Sequence, residues 1–515
     1  MPADIEIKLA LSPKQLARLR SHALLRGYMR PGSNRSKSVK TYYDTPKFVL
    51  RENSIVLDLE RAGDRQVQTI ASSGADTAAA ATEISGDTPD VKRIPDRRWR
   101  KLLAHGGRDG KLTPVFTTEV ERNRVPLQVD DSRIDLALDV GRIRANGREQ
   151  PICEARLALV AGQPERLYQL ALDLHDAVPF HIEHRDKVGR GYSLLADNGP
   201  SAVKASDVSF PADATIGEAF YVLAKAGFVH LCGNEEPVLR SGNPEAVHQM
   251  RVAVRRLRAL LSAFRPVLDT DATQFLRTEL TWLQRQLGPA RDWDVFLHST
   301  LEPLIAGVRE EPSLEELRHA VENARHAAYA VARDTLRDRR YTRLLLRLQL
   351  WLDSVPWDRK SSSPALGEPV ASLAEKILEK RHRKLEKLGE RFASLSEKEM
   401  HEVRLRAKKL RYATEFFRPV YPQKATKKFI RTLVEIQDTL GSLNDATVGR
   451  ELLTVIKSPS DSKGRPTVNG ARTPGLERAA GVAAGFQAAR IANDIRRFGE
   501  VWPRFIKLKK FWRQS

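Results

Sequence analysis

Cysteine is almost missing from this chain: Cys153 and Cys232 are the only two in 515 residues. They cannot build a disulfide framework or a cysteine-rich metal centre. No stretch approaches the roughly 18 apolar residues of a membrane-spanning helix. The opening segment, Met1 to Ala10, alternates polar and apolar residues and does not read as a secretion signal. The expected location is therefore the cytoplasm. RNP-like, zinc-finger and basic-zipper signatures are absent, and the basic helices lack interleaved exposed aromatics, which ranks a nucleic-acid binder last among the functional readings. After Ile216 there is no convincing strand pattern.

What is abundant is positive charge. The formal net charge is +21. Residues 211–515 hold 53 Lys and Arg against 37 Asp and Glu, while residues 1–210 hold 33 against 28. A basic half of this size points to a polyanion: nucleic acid, anionic membrane or phosphate polymer.

The cations are also patterned. His248, Arg251, Arg255, Arg256 and Arg258 precede Phe264-Arg265-Pro266. His401, Arg404, Lys408, Lys409 and Arg411 precede Phe417-Arg418-Pro419 at a constant offset of 153 residues, the distance from His248 to His401. Such fixed self-similarity marks a duplicated unit. At helical spacing, His248, Arg251, Arg255 and Arg258 fall in an arc of about 80°. Val247, Met250, Val254, Leu257, Leu261 and Phe264 occupy the wider face, which must be core. Each copy thus presents a narrow basic stripe on an anchored helix. A third row, Lys376, Lys380, Arg383, Lys384 and Lys387, also has helical spacing. Leu287-Gly288 with Arg291-Asp292 matches Leu440-Gly441 with Asn444-Asp445, and predicts a turn capped by an acidic side chain.

Bidentate guanidiniums and point-charge ammoniums suit phosphate. The stripes carry no nucleophile–base pair and no acidic metal cluster, which favours binding over turnover. A solvated face would not demand the same residue types in the same register twice.

Residues 1–195 read mostly as strands, with period-two alternation at Asp4–Leu9, Ile55–Leu59 and Ile134–Leu138. Helices are expected from Ser12, as N-cap before Pro13, to about Arg26, and over Pro164–Ala177. Residues 196–214 read as a linker. The fold class expected is multidomain α+β, an N-terminal antiparallel barrel or tunnel with flanking helices followed by all-α bundles. The helical half, 215–515, divides into repeats at about 215–355 and 368–515.

The stripes and the Leu440-Gly441-Ser442-Leu443-Asn444-Asp445 turn resemble the CHAD family, the conserved histidine α-helical domain, over about residues 211–515. That resemblance implies two helical bundles about a pseudo-twofold axis, with basic residues lining a surface that binds inorganic polyphosphate. The implied partners are polyphosphate itself, polyphosphate granules or polyphosphate-handling enzymes, and no cofactor is required for binding.

Residues 1–195 resemble the CYTH family of triphosphate tunnel proteins. The likeness rests on Asp4-x-Glu6-x-Lys8, Tyr42-Tyr43-Asp44-Thr45-Pro46, Leu138-Asp139-Val140-Gly141 and Lys187 with Arg190-Gly191-Tyr192. The family implies a closed antiparallel tunnel in which Lys and Arg hold a triphosphate and Glu residues hold Mg²⁺ or Mn²⁺. This chain departs from the pattern. Asp58-Leu59-Glu60 stands for Arg-x-Arg, Thr69-Ile70-Ala71 for Thr-x-Lys, and Glu119 for a basic position. Glu154-Ala155-Arg156-Leu157-Ala158 stands for Glu-x-Glu-x-Glu. Catalytic remnants reduce to Glu6, Lys8 and Lys187, and metal remnants to Asp4, Glu6 and Glu154. A degenerate tunnel is expected, with Asp58, Glu60 and Arg156 pointing inward and Arg156 pairing with Asp58 or Glu60. The competing readings are a metal-dependent triphosphatase using Mg²⁺ or Mn²⁺ and a nonspecific nucleic-acid binder.

Overall fold

The computed structural model describes residues 5–62, 65–72, 80–104, 111–195, 199–268, 270–308, 311–354, 357, 364–389, 395–456 and 473–513. The chain forms two compact units, one of residues 1–200 with 339–354 and one of residues 201–338 with 355–515.

Among the described residues the first unit is built on nine antiparallel strands: β1 Glu6–Ala10, β2 Asn34–Asp44, β3 Ile55–Ala62, β4 Arg65–Ser72, β5 Ala80–Ile84, β6 Thr113–Val129, β7 Ser132–Ala145, β8 Arg148–Ala161 and β9 His181–Ile182. Their order is β5-β4-β3-β2-β6-β7-β8-β1-β9. Here the expectation of a closed tunnel is corrected: β5 and β9 are the two ends of the order, and no ladder joins them among the described residues. Alternation separates the two faces of the sheet. Ile7, Leu9, Val125, Leu127, Ile134, Leu136 and Leu157 form a core with Leu16, Leu19, Leu167, Tyr168 and Leu174 from helices Pro13–Arg20 and Pro164–Ala177. The opposite face carries the charged residues and, at one end, an apolar cluster of Tyr42, Phe116, Val120, Ile143 and Tyr192.

Ser12 caps its helix through a capping box with Gln15, as its position before Pro13 implied. The helix ends at Arg20 rather than Arg26, and a second short helix, Ala23–Tyr28, follows. Gly141 and Gly191 are among the glycines forced by close approach. A side chain at Gly141 would meet the Glu119 carbonyl oxygen at 1.9 Å, and one at Gly191 would meet the Phe116 ring at 2.4 Å. Asp44 is buried and accepts from the Leu50 and Arg51 amides and the Tyr192 hydroxyl, so that motif is architectural.

Residues 339–354, counted above with the first repeat, form a helix of this first unit. Arg343 pairs with Asp176 at 2.7 Å, Arg339 donates to the Asp176 carbonyl at 2.9 Å, and Leu346 enters the helix-covered core.

The second unit displays the duplication helix by helix. Helices Ile216–Gly233, Pro244–Ala263, Asp271–Gln286, Gly288–Phe296 and Pro312–Arg337 correspond in order to Val370–Gly389, Glu397–Phe417, Gln423–Thr439, Gly441–Ile456 and Pro474–Ile506. Corresponding helices pack on one another: 244–263 on 397–417, 288–296 on 441–456, and 312–337 on 474–506. Self-pairing of equivalent surfaces is what a twofold axis requires. Phe264 and Phe417, equivalent residues, meet with ring centroids 5.7 Å apart. The segment before the first helix is ordered, with Val203 bonded in both directions to Asn234. The polar stretch beginning at Lys457 lies outside the described residues up to 472.

The basic, aromatic C-terminal tail is not a free arm. Phe511 and Trp512 are buried, the Trp512 indole donates to Glu379, and Arg513 binds the same carboxylate. Lys510 lies 3.6 Å from Glu386.

Candidate functional site

Each stripe helix is held by its apolar face: Val247, Met250, Val254, Leu257 and Leu261 are buried in one, and Met400, Val403, Ala407 and Leu410 in the other. A capping box at Ser396 and a cap at Asn243 start the two helices. The cations are thereby carried on fixed backbones.

The stripes come together. Arg255 Nε donates to the Tyr412 hydroxyl at 2.5 Å, placing the centre of the first stripe on the second helix. Arg255 lies close enough to Arg404 and Lys408 to disfavour the charge on both. Burial, with Arg404, Arg255 and Arg411 around it, pushes the Lys408 ammonium down to about 7. Burial and neighbouring cations also lower Arg251, Arg258, Arg404, His248 and His401 from their ordinary values. The guanidinium nitrogens Arg404 Nε and Arg411 Nε are buried without a hydrogen-bond partner. Concentrated, half-dehydrated positive charge with unused donors is arranged for an anion.

The second conserved feature of the repeats has a different role from the cap expected. Leu287, before helix Gly288–Phe296, has no side-chain cap bond. Asp292 instead lies 3.7 Å from Arg251, and its equivalent Asp445 favours the charge on Arg404. Each acid thus partly neutralises the first Arg of its own stripe.

Arg256 is drawn into architecture: it pairs with Glu415 at 2.7 Å and stacks over Phe416. Arg411 shares Glu415 at 3.5 Å. Lys409 is exposed, and its carbonyl accepts from Arg381 at 2.6 Å. Lys376, Lys380, Arg383, Lys384 and Lys387 are all exposed on helix Val370–Gly389. Their first-repeat counterparts are Leu223, Gly227, His230, Leu231 and Asn234, so this row lies outside the duplicated pattern. Three site neighbours escaped the motif reading, namely Arg277 and Arg285, whose charges act on the first stripe, and Tyr412; Arg291, read only as part of a turn, also acts on that stripe. The 153-residue offset could have found Arg285 and Arg291, as positions where the repeats differ in charge.

On the first unit, strand register puts Asp58, Glu60, Arg122, Asp139, Glu154, Arg156, Glu6 and Lys8 on one face; alternation implied this for Asp58 with Glu60 and for Glu154 with Arg156 within their own strands. The pairing differs from the expectation. Asp58 and Glu60 take Lys40, at 2.9 and 3.4 Å, while Arg156 takes Glu6 at 3.0 Å. Lys40 lies directly opposite Glu60 in the ladder, closer than Arg156 on a distant strand. Arg122 grips Asp139 with two bonds of 2.7 and 2.6 Å. Lys187 joins Asp139 to Glu154, and Arg190 binds Glu154 at 2.9 Å. Glu119 faces the other way and pairs with Arg142 and Arg144 at 2.7 and 3.0 Å, so it does not replace an inward cation.

The remnant carboxylates do not fit a divalent ion. Glu6 is committed to Lys8 and Arg156, and Glu154 to Lys187 and Arg190. Among the described residues no group of three His, Cys, Asp or Glu is placed to hold a metal. Asp4 lies outside the described residues.

These features define two units, one a duplicated set of helices with a basic centre and the other a charge-paired antiparallel sheet. A family model for the CHAD domain matches residues 223–454. The crystal structure of the CHAD domain from the plant Ricinus communis is 30% identical, with a TM-score of 0.52, over 60% of this chain and 98% of that one. Through this region the chain belongs to the CHAD family. The N-terminal region resembles triphosphate-tunnel, CYTH-like folds. It is 25% identical over 197 residues to the inorganic triphosphatase of Haemophilus influenzae, a match over 38% of this chain and 55% of that protein. The chain thus spans about half the length of that relative. A Hippeastrum protein whose structure is described as revealing a dominant triphosphatase activity matches 37% of this chain and 96% of its own, at 18% identity and a TM-score of 0.26. No helix among the described residues is long and apolar enough to cross a membrane.

Proposed function

We propose that the second unit binds inorganic polyphosphate between its paired stripes and that the first unit has lost triphosphate turnover. The observation that carries the binding reading is the convergence of Arg255, Arg404, Lys408 and Arg411 from equivalent helices, with two guanidinium nitrogens left without partners. His248, Arg251 and Arg258 extend the surface on one side and His401 on the other. Polyphosphate is the anion that a continuous row of phosphate-sized donors suits best, and its binding displaces counterions, so affinity falls steeply with added salt. Long-chain polyphosphate should outcompete duplex DNA at matched salt. Preferential retention of DNA would instead support the nucleic-acid reading. Granules or polyphosphate-handling enzymes are the corresponding cellular partners.

Binding should carry a proton. A bound polyanion restores the charge on Lys408, so affinity for long chains is expected to fall as pH rises from about 7 to about 9, a range in which the lowered histidines are already neutral. Lys408→Arg should flatten that dependence. Titrations in two buffers of different ionisation enthalpy would show proton uptake in the wild type alone; uptake unchanged in Lys408→Arg would assign the proton elsewhere.

Loss of turnover rests on the neutralisation of Lys8, Lys40, Arg122, Arg156, Lys187 and Arg190 by acids of the same face. A triphosphate would have to break these pairs, and Mg²⁺ or Mn²⁺ would have to compete with Lys and Arg for Glu6 and Glu154. Phosphate release from triphosphate with either metal is expected to stay far below about 1 s⁻¹, the low end of ordinary turnover. Turnover at that rate, abolished by Glu6→Gln, would establish the triphosphatase instead.

A further inference from the structure

The two ends of the twofold site are not equivalent in charge. Position by position, Arg285 in the first repeat corresponds to Asp438 in the second, Arg291 to Asn444, and Ser262 to Glu415. The consequence is visible at the equivalent cations Arg258 and Arg411. Arg258 bonds to Gln284 at 2.5 Å and is surrounded by like charge, since Arg285 and Arg277 both disfavour its protonation. Arg411 lies 3.5 Å from Glu415, and it also acts on Asp438 as an opposite charge. Arg291 adds further positive charge beside His248 and Arg251. The backbone is twofold, whereas the field along the groove is graded.

We propose that this gradient makes the site directional: the first-repeat end, built from Arg258, Arg277 and Arg285, takes the terminal phosphoryl group of a linear polyphosphate, and the second-repeat end takes internal phosphoryl groups. The inference rests on the polyphosphate reading above. A terminal phosphoryl resembles a phosphomonoester and carries a charge of about −1.5 to −2 near neutral pH, whereas a doubly bridged internal one carries about −1. The denser anion gains more from the more basic end. Acids at the second-repeat end oppose a dianion there but tolerate single charges. The specificity determinants are Arg285 and Asp438, both exposed, so exchanging them leaves the packed helices intact.

The test uses the full chain and linear tripolyphosphate, short enough to sit at one end. In the wild type, Arg258→Gln should weaken binding about tenfold or more, the scale of one charge-assisted hydrogen bond, and Arg411→Gln less than about threefold. Both changes remove one positive charge. In the charge-conserving background Arg285→Asp with Asp438→Arg, the two sensitivities should exchange, with overall affinity little changed. Unchanged thermal melting of the exchanged protein would show that folding is not the cause. Equal sensitivities in the wild type, or no exchange in the swapped background, would overturn the directional site while leaving polyphosphate binding in place. Failure of the wild type to bind either tripolyphosphate or long chains would remove the underlying reading as well.

Discussion

Replacing Arg255 and Lys408 together by glutamine should weaken long-chain polyphosphate binding by about 10²- to 10⁴-fold. A hydrogen bond to a charged group contributes about 1.5–3 kcal/mol and a tenfold affinity change corresponds to about 1.4 kcal/mol. The two side chains are equivalent under the duplication and meet where the stripe helices pack together, so a bound chain cannot avoid them. Removing them also relieves the repulsion on Arg404, which makes unfolding an implausible source of the loss. The control is Lys427→Gln with Lys428→Gln, an exposed pair near the start of helix Gln423–Thr439 that removes the same formal charge, and at least as much actual charge since Lys408 is pushed down to about 7. The terminal lysines are a poor control because Lys510 is engaged by Glu379 and Glu386. Fluorescence or calorimetric titration at fixed salt would measure both variants. Equal losses would mean that the net field alone attracts the polymer and that the repeated pattern is architecture.

The second large effect concerns stability. Trp512→Ala is expected to destabilise the second unit by about 3–5 kcal/mol, the range for deleting a large buried aromatic. Trp512 is fully buried, with ring centroids 4.9 Å from Phe511, 5.3 Å from Phe429 and 5.5 Å from His382. Its indole bond to Glu379 would be lost with the ring. Glu379 would keep Arg513, so the charge would not be stranded. Urea unfolding followed by intrinsic fluorescence and circular dichroism should show an earlier transition for the helical signal. A shift below about 1 kcal/mol, the size of an ordinary surface change, would mean that the tail only covers a core complete without it.

Both experiments depend on distinctions that the primary structure expresses unevenly. The helices bearing the stripes, their buried faces and their pairing by a 153-residue repeat were legible because helical periodicity and duplication are local, countable properties. The same holds within each strand of the sheet: alternation put Asp58 with Glu60, and Glu154 with Arg156, on one side of their own strands, while the register brought the two pairs to one face. The resemblance to CHAD and CYTH proteins was carried by short motifs, and the comparisons show the family for the helical half.

What only the tertiary structure decided was which charge meets which. Asp292 reads as a helix cap from its position beside a glycine, yet it reaches Arg251 on another helix. Arg156 pairs with Glu6, 150 residues away in the chain, rather than with Asp58 or Glu60. Residues 339–354 have the pattern of any amphipathic helix, and nothing local indicates that their apolar face joins the core of the first unit. The open order of the sheet likewise depends on whether its two ends meet, not on the alternation within any strand. The physical reason is common to all four. Periodicity states which side of an element is apolar, but ion pairs and packing partners are chosen by distances that exist only after the elements have been brought together.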